Sequence, residues 1–204
     1  MAGPGATKAK TALPEQVNAM DKAAPVATPP AEPVHGAALI PALPLIRRYA
    51  AADDLPTWEV FHAAVHIGAA GHYTRAELLD WVPNETRPAG WGTWLDRHFT
   101  VVATDAGRVV GFFMLEADGY LNMTFVRPAY RRNGLAGRLY AAILAEARAR
   151  AMPRLTVWAS RLAMPFLRRQ AWVDDPAPPP RDGHPIASDG PQPIEWALKL
   201  DIGG

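Results

Sequence analysis

The sequence predicts an α/β (α+β) domain built on a mixed sheet, and three observations predict it. Short strand-like runs lie close together between residues 99 and 126, joined by turns of two or three residues, the pattern of an antiparallel meander. A run with apolar residues at i, i+4 spacing follows over 134–150, and another strand-like run begins at 154. Hydrophobic residues make up 49% and charged residues 20% of the 204 positions, which supports a sizeable core and excludes global disorder.

The elements follow in order. Residues 1–42 contain no aromatic residue and are dominated by Ala, Pro and Gly, so ordering them would not be offset by burial of large side chains. They read as a disordered Ala/Pro-rich tail, in which Leu13–Ala24 could form only a short, marginal helix, and the domain is expected over 43–204. Leu45–Ala50 is a strand candidate. Asp53 and Asp54, with Pro56 in the first turn, start a helix carrying Leu55, Trp58, Phe61 and Val65 at helical spacing and ending near Gly68–Gly71. Thr74-Arg75-Ala76-Glu77 is a capping-box pattern before Leu78, Leu79 and Trp81, with Pro83 as the stop, and a short helix is expected over Trp91–Arg97. The meander comprises Phe99–Thr104, Arg108–Glu116 and Tyr120–Val126, and Gly134–Arg150 is the main helix, with Leu135, Leu139, Ile143 and Ala147 on one face. Arg154–Ala159 is a strand, Ala163–Gln170 a short helix, and Ala171–Val173 and Ile194–Leu200 two strand pieces. Between them, 174–193 reads as a Pro-rich loop, with seven prolines over 176–193.

Composition narrows the function. A net charge of +1 offers no electrostatic case for a nucleic-acid or membrane-surface protein, and no apolar run approaches the ~18–20 residues that span a bilayer. The absence of cysteine excludes a disulfide framework, a thiolate zinc site and a cysteine nucleophile. Lys8 and Lys10 are not followed by the apolar stretch of a secretory signal, so a cytoplasmic location is expected.

The informative stretch is Val126-Arg127-Pro128-Ala129-Tyr130-Arg131-Arg132-Asn133-Gly134-Leu135-Ala136-Gly137-Arg138. It is a strand end, a proline-marked turn, an Arg-x-x-Gly-x-Ala loop and a helix start. Backbone N–H groups at a helix start lack partners, and the helix dipole adds positive charge, so such a loop can cradle a pyrophosphate. Gly134 and Ala136 lack bulk, and Arg131, Arg132 and Arg138 bring charge to the rim. The same residues would also serve a helix that simply starts after a turn bearing solvated arginines.

This loop resembles the coenzyme A loop of the GNAT superfamily of N-acetyltransferases, Gln/Arg-x-x-Gly-x-Gly/Ala after a Val-x-Pro strand end. Val157-Trp158-Ala159-Ser160 and Ala163-Met164-Pro165-Phe166-Leu167-Arg168-Arg169-Gln170-Ala171-Trp172 resemble the family's next strand and short helix. His72-Tyr73-Thr74 … Trp81 and Tyr120–Val126 most resemble the YafP-like branch, and the likeness covers roughly 43–173 and less clearly 194–201. It implies a mixed, mostly antiparallel sheet with helices on both faces and a V-shaped split between two strands. It also implies acetyl-CoA as co-substrate without a metal, and direct transfer of an acetyl group to an amine in a ternary complex. The partners implied are acetyl-CoA and an amine acceptor, small molecule or peptide, without nucleic acid or membrane; a homodimer is compatible with this reading. Carried over by position, Thr124, Phe125 and Val126 pair with the pantetheine arm, and Arg131, Arg132, Asn133, Gly134, Leu135, Ala136, Gly137 and Arg138 surround the pyrophosphate. Ser160 touches the arm, and Phe166 packs on the coenzyme.

Two departures stand out. The Tyr that often serves as general acid is replaced by Leu167, and the usual Gly by Ala171. Ser160 or water could protonate the leaving thiolate instead, and a non-catalytic acyl-CoA-binding module is the rival reading. An amine attacks only when neutral, so a base is wanted. The candidates are Glu116, His72 and Tyr73, with Asn122 to orient the acceptor. His62 and His66 lie one helical turn apart, but without a third ligand they read as structural. Trp91 and Trp94 are candidates for the wall of an acceptor pocket.

Overall fold

The computed structural model describes residues 43–82, 86–178 and 195–203. The tail 1–42, Pro83, and residues 179–193 of the Pro-rich loop lie outside the described residues. Internal packing divides the chain into Met1–Leu39 and Ile40–Gly204, and the described residues belong to the second unit.

The elements in chain order are β1 (Leu45–Arg48), α1 (Asp54–His66), α2 (Arg75–Trp81), α3 (Trp91–Arg97), β2 (Phe99–Asp105), β3 (Arg108–Leu115) and β4 (Leu121–Val126). They continue with α4 (Leu135–Ala149), β5 (Arg154–Ser160), α5 (Ala163–Arg169), β6 (Val173–Asp174) and β7 (Glu195–Asp201). Single 3₁₀ turns cover Ala51–Asp53 and Pro128–Tyr130. Two antiparallel sheets result, in the orders β1-β2-β3-β4 and β5-β7-β6. They meet at one parallel bridge, Tyr120 to Thr156, where the Thr156 N–H donates to Gly119 O (3.1 Å). The expected mixed, mostly antiparallel sheet is therefore present.

The meander carries apolar side chains on both faces because both faces are covered. Phe112, Met114 and Val102 pack with Trp58, Phe61, Trp91 and Leu95 of α1 and α3, while Phe113, Leu115, Leu121 and Val126 pack with Leu139 and Ile143 of α4. A Cβ at Gly111 would lie 3.1 Å from the Leu139 side chain, so the glycine lets α4 approach β3 closely. The indole N–H of Trp172 donates to Tyr140 Oη (2.7 Å), which satisfies both buried polar atoms and locks the end of α5 to α4. Among the described residues no helix is long and apolar enough to cross a membrane.

Most elements fall within a residue or two of expectation. The capping box at Thr74 and Glu77 is formed, with the Glu77 N–H donating to Thr74 Oγ1 and the Thr74 N–H to Glu77 Oε2. Asp53 differs. Its side chain does not cap α1 but turns back, accepting from the Ala50 N–H (2.9 Å) and from the Arg47 guanidinium (2.6 and 2.8 Å). It thereby fixes the corner between β1 and α1. The last strand piece before the loop also starts later than expected, at Val173, because Ala171 adopts φ +65 and ends α5.

Burial alone would raise the Asp53 carboxyl, but the bonds from Arg47 and the Ala50 N–H outweigh it and hold the group below its ordinary value. Its stabilising contribution is then complete above the unfolded pKa of about 4 and is lost as the pH falls through the lower folded value. Asp53→Ala should cost about 1.5–3 kcal/mol at neutral pH, the worth of charge-assisted hydrogen bonds. In denaturant titrations the gap between variant and wild type should narrow below about pH 4. A gap of constant size would place the cost elsewhere.

Candidate active site

Past the Tyr120–Thr156 bridge, β4 and β5 share no ladder, although they run in the same direction. The reason lies in β4. Leu115 pairs with Leu121 and Met114 with Met123, so Asn122 is an extra residue, a β-bulge that bends the strand. Beyond it the register decides which backbone groups face the gap. Arg127 N–H donates to Val110 O (2.9 Å), so residues 127, 125 and 123 bond to β3 while Thr124 and Val126 direct their N–H and C=O groups to the opposite edge. That edge is one wall of a split whose other wall is β5.

The split leads into the loop before α4. Arg132 and Gly134 both have positive φ (62 and 84), which folds the chain tightly into the helix start. Arg132, Asn133 and Gly134 are exposed. Asn133 Oδ1 accepts from the Leu135 N–H (3.2 Å), and the Arg138 N–H donates to Gly134 O (3.2 Å), which leaves the N–H groups of Ala136 and Gly137 without intrahelical acceptors. A Cβ built on Gly134 or Gly137 meets nothing within 4 Å, so the space over the helix start is open. Arg138 Nη1 is buried and has no hydrogen-bond partner among the described residues. Helix-terminal N–H groups under open space, with a guanidinium nitrogen on the same helix that has no partner among the described residues, suit an anionic ligand.

A family profile described as an acetyltransferase (GNAT) domain matches residues 71–186. The uncharacterized N-acetyltransferase YafP of Escherichia coli K12 is 31% identical over 125 residues, covering 61% of this chain and 77% of that protein. The chain belongs to the GNAT acetyltransferase family. Solved structures agree in fold. A GCN5-related N-acetyltransferase from Rhodopseudomonas palustris superposes with a TM-score of 0.68 at 23% identity, over 80% of this chain and 99% of that one. The Salmonella typhimurium acetyltransferase yncA, solved with its cofactor acetyl-CoA, gives 0.55 at 15% identity, over 80% and 96% of the two chains. The PaiA N-acetyltransferase of Thermoplasma acidophilum, solved in complex with coenzyme A, gives 0.60 at 13%, over 78% and 99%.

The GNAT split gathers the residues singled out in the sequence into three groups. Thr124, Phe125, Val126, Asn133, Gly134, Ala136, Gly137 and Arg138 lie along β4 and the helix start. Leu135 is buried, so only its backbone faces the loop. Phe166, in the middle of α5, is half-buried and stands edge-on to Tyr140 (5.7 Å).

Glu116 and Asn122 form the second group. Asn122 Nδ2 donates to Glu116 Oε1 (2.5 Å) across the β3–β4 turn, where β4 starts to part from β5. Met114 packs on the α1–α3 side and Leu115 on the α4 side, so strand alternation places Glu116 on the α1–α3 face.

Tyr73 and Ser160 are the third group. The N–H of Arg161, the residue after Ser160, donates to Tyr73 Oη (2.7 Å), and the Tyr73 ring is buried. Ser160 Oγ accepts from the Ala163 N–H (3.2 Å) and so caps α5. His72 is exposed, and it is its carbonyl, not its ring, that is held, by Arg161 Nη1 (2.8 Å).

Two expectations need correction. Arg131 does not bring its charge to the rim: its guanidinium donates to Gly68 O (2.7 Å) and Ala64 O (3.1 Å) at the end of α1, and burial lowers its pKa. Unpaired carbonyls at a helix C-terminus attract such a cation. Trp91 is core, not pocket wall: it is 6% exposed, its indole N–H donates to Thr57 Oγ1 (3.1 Å) and its ring stacks on Phe61. Leu167 is 0% exposed and sits in the α4-side core, so the position matching the family's frequent Tyr is closed to the split.

His66 Nε2 lies 3.1 Å from Val82 O and fastens the end of α2 to α1, in keeping with a structural role for the His62–His66 pair. Among the described residues no cluster of His, Asp and Glu could hold a metal ion. Arg161 was not singled out from the sequence. Its partners lie 88 and 89 residues earlier, and no local pattern announces such a contact.

Gly137 is the third residue of α4, a position where an acidic side chain favours the helix. Gly137→Asp should therefore keep stability or raise it by about 0.5–1 kcal/mol. It should also abolish the rise in Tm that CoA produces in the wild type, because a carboxylate then occupies the open space. A folded variant that kept the full CoA shift would refute the pyrophosphate assignment.

Proposed function

We propose that this acetyltransferase seats acetyl-CoA in the β4–β5 split and passes its acetyl group directly to a primary amine in a ternary complex. The observation that carries this reading is the outward-facing edge of Thr124 and Val126, followed along the chain by the open start of α4. An extended pantetheine arm can add to that edge as a strand would. Arg138 and the N–H groups of Ala136 and Gly137 would hold the pyrophosphate, and Arg132 would contribute charge from the exposed rim.

When bound, acetyl-CoA supplies an activated thioester. The chain's own residues orient it, polarise it and move protons. The N–H groups of Thr124 and Val126 are the donors available to the arm and to the thioester carbonyl, where negative charge develops on attack. Glu116 is the base that takes a proton from the acceptor's ammonium so that the neutral amine can attack, and Asn122 holds one carboxylate oxygen in place by its 2.5 Å bond. The nitrogen–carbon bond forms and the carbon–sulfur bond breaks. The thiolate leaves near neutral pH without a strong acid, since a thiol's pKa is only moderately above seven. Tyr73 and Ser160, at the tip of β5, are the hydroxyls placed to return its proton.

The acceptor is an amine of a small molecule or a peptide, and thiol release across a panel of both would identify the class. Glu116→Gln should lower kcat by about 10²–10⁴-fold, the worth of a positioned base. The CoA-induced rise in Tm should persist in that variant, since Glu116 lies outside the cofactor edge. A rate within about threefold of wild type would show that another group takes the proton.

A further inference from the structure

Resting on the cofactor reading above, we infer that Arg131 and Arg161 are positioning residues that strap the segment Gly68–Tyr73 across the split, one arginine from each wall, and so set the place of Tyr73. Arg131 follows the end of β4, and Arg161 follows Ser160 at the end of β5, so the two arginines stand where the parallel strands diverge. From the first wall, Arg131 donates to Ala64 O and Gly68 O. From the second, Arg161 donates through Nη1 to His72 O and through its backbone N–H to Tyr73 Oη. Its guanidinium carbon also lies 5.0 Å from the centre of the Tyr73 ring, with Glu77 at 3.9 Å. Of the four residues between Gly68 and Tyr73, Ala69 is buried and donates its N–H to Val65 O, and the N–H groups of His72 and Tyr73 donate to Ala69 O, closing the turn on itself.

The fit at the first anchor is tight. A Cβ on Gly68 would stand 2.2 Å from Arg131 Nη2 and 2.6 Å from Ala64 O. Gly68 is therefore the residue that admits the guanidinium against the last turn of α1. At both anchors a guanidinium donates to backbone carbonyl oxygens, with hydrogen bonds stronger than neutral ones. The consequence is that the two side chains hold both ends of the segment that carries Tyr73, whose hydroxyl is met by the Arg161 backbone N–H. A phosphate ligand would act on cofactor affinity. A strap acts on the geometry of the reacting end and leaves affinity nearly alone.

The test uses the full chain, with CoA and acetyl-CoA as probes. Binding is measured by calorimetry and backbone order by amide hydrogen exchange over residues 67–74. Arg138→Met should lose about tenfold or more in CoA affinity, as expected for a charge-assisted contact. Arg131→Met should keep CoA affinity within about threefold, well under that loss. It should speed exchange over 67–74 by about tenfold or more, as released anchors allow local opening. With the amine that turns over in the panel above, it should lower kcat by about 10- to 100-fold while KM for acetyl-CoA stays close to wild type. Arg161→Met should reproduce this pattern from the other wall, and Gly68→Ala should reproduce it by expelling Arg131. If Arg131→Met fails to fold, those two variants carry the same comparison. An Arg131→Met protein that loses CoA affinity as Arg138→Met does, with exchange over 67–74 unchanged, would overturn the strap and return Arg131 to the phosphates. Unchanged exchange and kcat in both arginine variants would overturn it as well. A wild type that bound no CoA would refute the cofactor reading, and the exchange comparison would then decide the strap by itself.

Discussion

The parallel bridge between Tyr120 and Thr156, where the Thr156 N–H donates to Gly119 O, joins the two sheets, and the site depends on where that pairing stops. Had the ladder continued, Thr124 and Val126 would spend their backbone groups on β5, and the chain would hold one closed sheet without a cleft. The extra residue at Asn122 prevents this by bending β4 away while its pairing with β3 resumes at Met123. Backbone polar groups left facing a gap are costly unless something satisfies them. A ligand that can add to a strand edge is therefore the natural occupant of this gap. Rigid support comes from both sides, since α4 is pinned into the sheet through Leu139 against Gly111 and α1 through Phe61 against Phe125 (4.7 Å, edge-on).

The same geometry separates the chemistry into two ends. In the proposed reading the helix start, with open space over Gly134 and Gly137 and an Arg138 nitrogen that has no partner among the described residues, takes the anionic charge. The opposite end, where the strands are still joined, carries the Glu116–Asn122 pair and is suited to moving a proton.

Much of this was legible in the sequence because it is local. The meander shows as alternating apolar runs with Asp105-Ala106-Gly107 and Asp118-Gly119 between them, and α4 shows as a strict apolar face. The loop Arg131–Ala136 announces itself by composition, and Thr74 with Glu77 by capping-box spacing. What the sequence hid depends on long-range packing. Nothing near Arg131 says that its guanidinium turns to carbonyls 63 and 67 residues away, so the local pattern alone puts its charge at the rim. Leu167 carries the signature position of the family's acid, but only the packed core shows that the position is closed. Trp91 looked available as pocket wall until Thr57 was seen to accept its indole N–H. Asp53 reads as a helix cap in sequence, yet Arg47, placed beside it by the strand that precedes the turn, captures its carboxylate instead.

The central claim, that the outer edge of β4 receives the coenzyme arm, is tested most directly by residue-resolved amide exchange with and without CoA. Met123 and Phe125 bond to β3 in the free protein and should exchange slowly in both states, whereas the Thr124 and Val126 amides face the split. The account predicts that CoA slows exchange selectively at Thr124 or Val126, together with Ala136 and Gly137. Binding of CoA that left these four amides unprotected would contradict it.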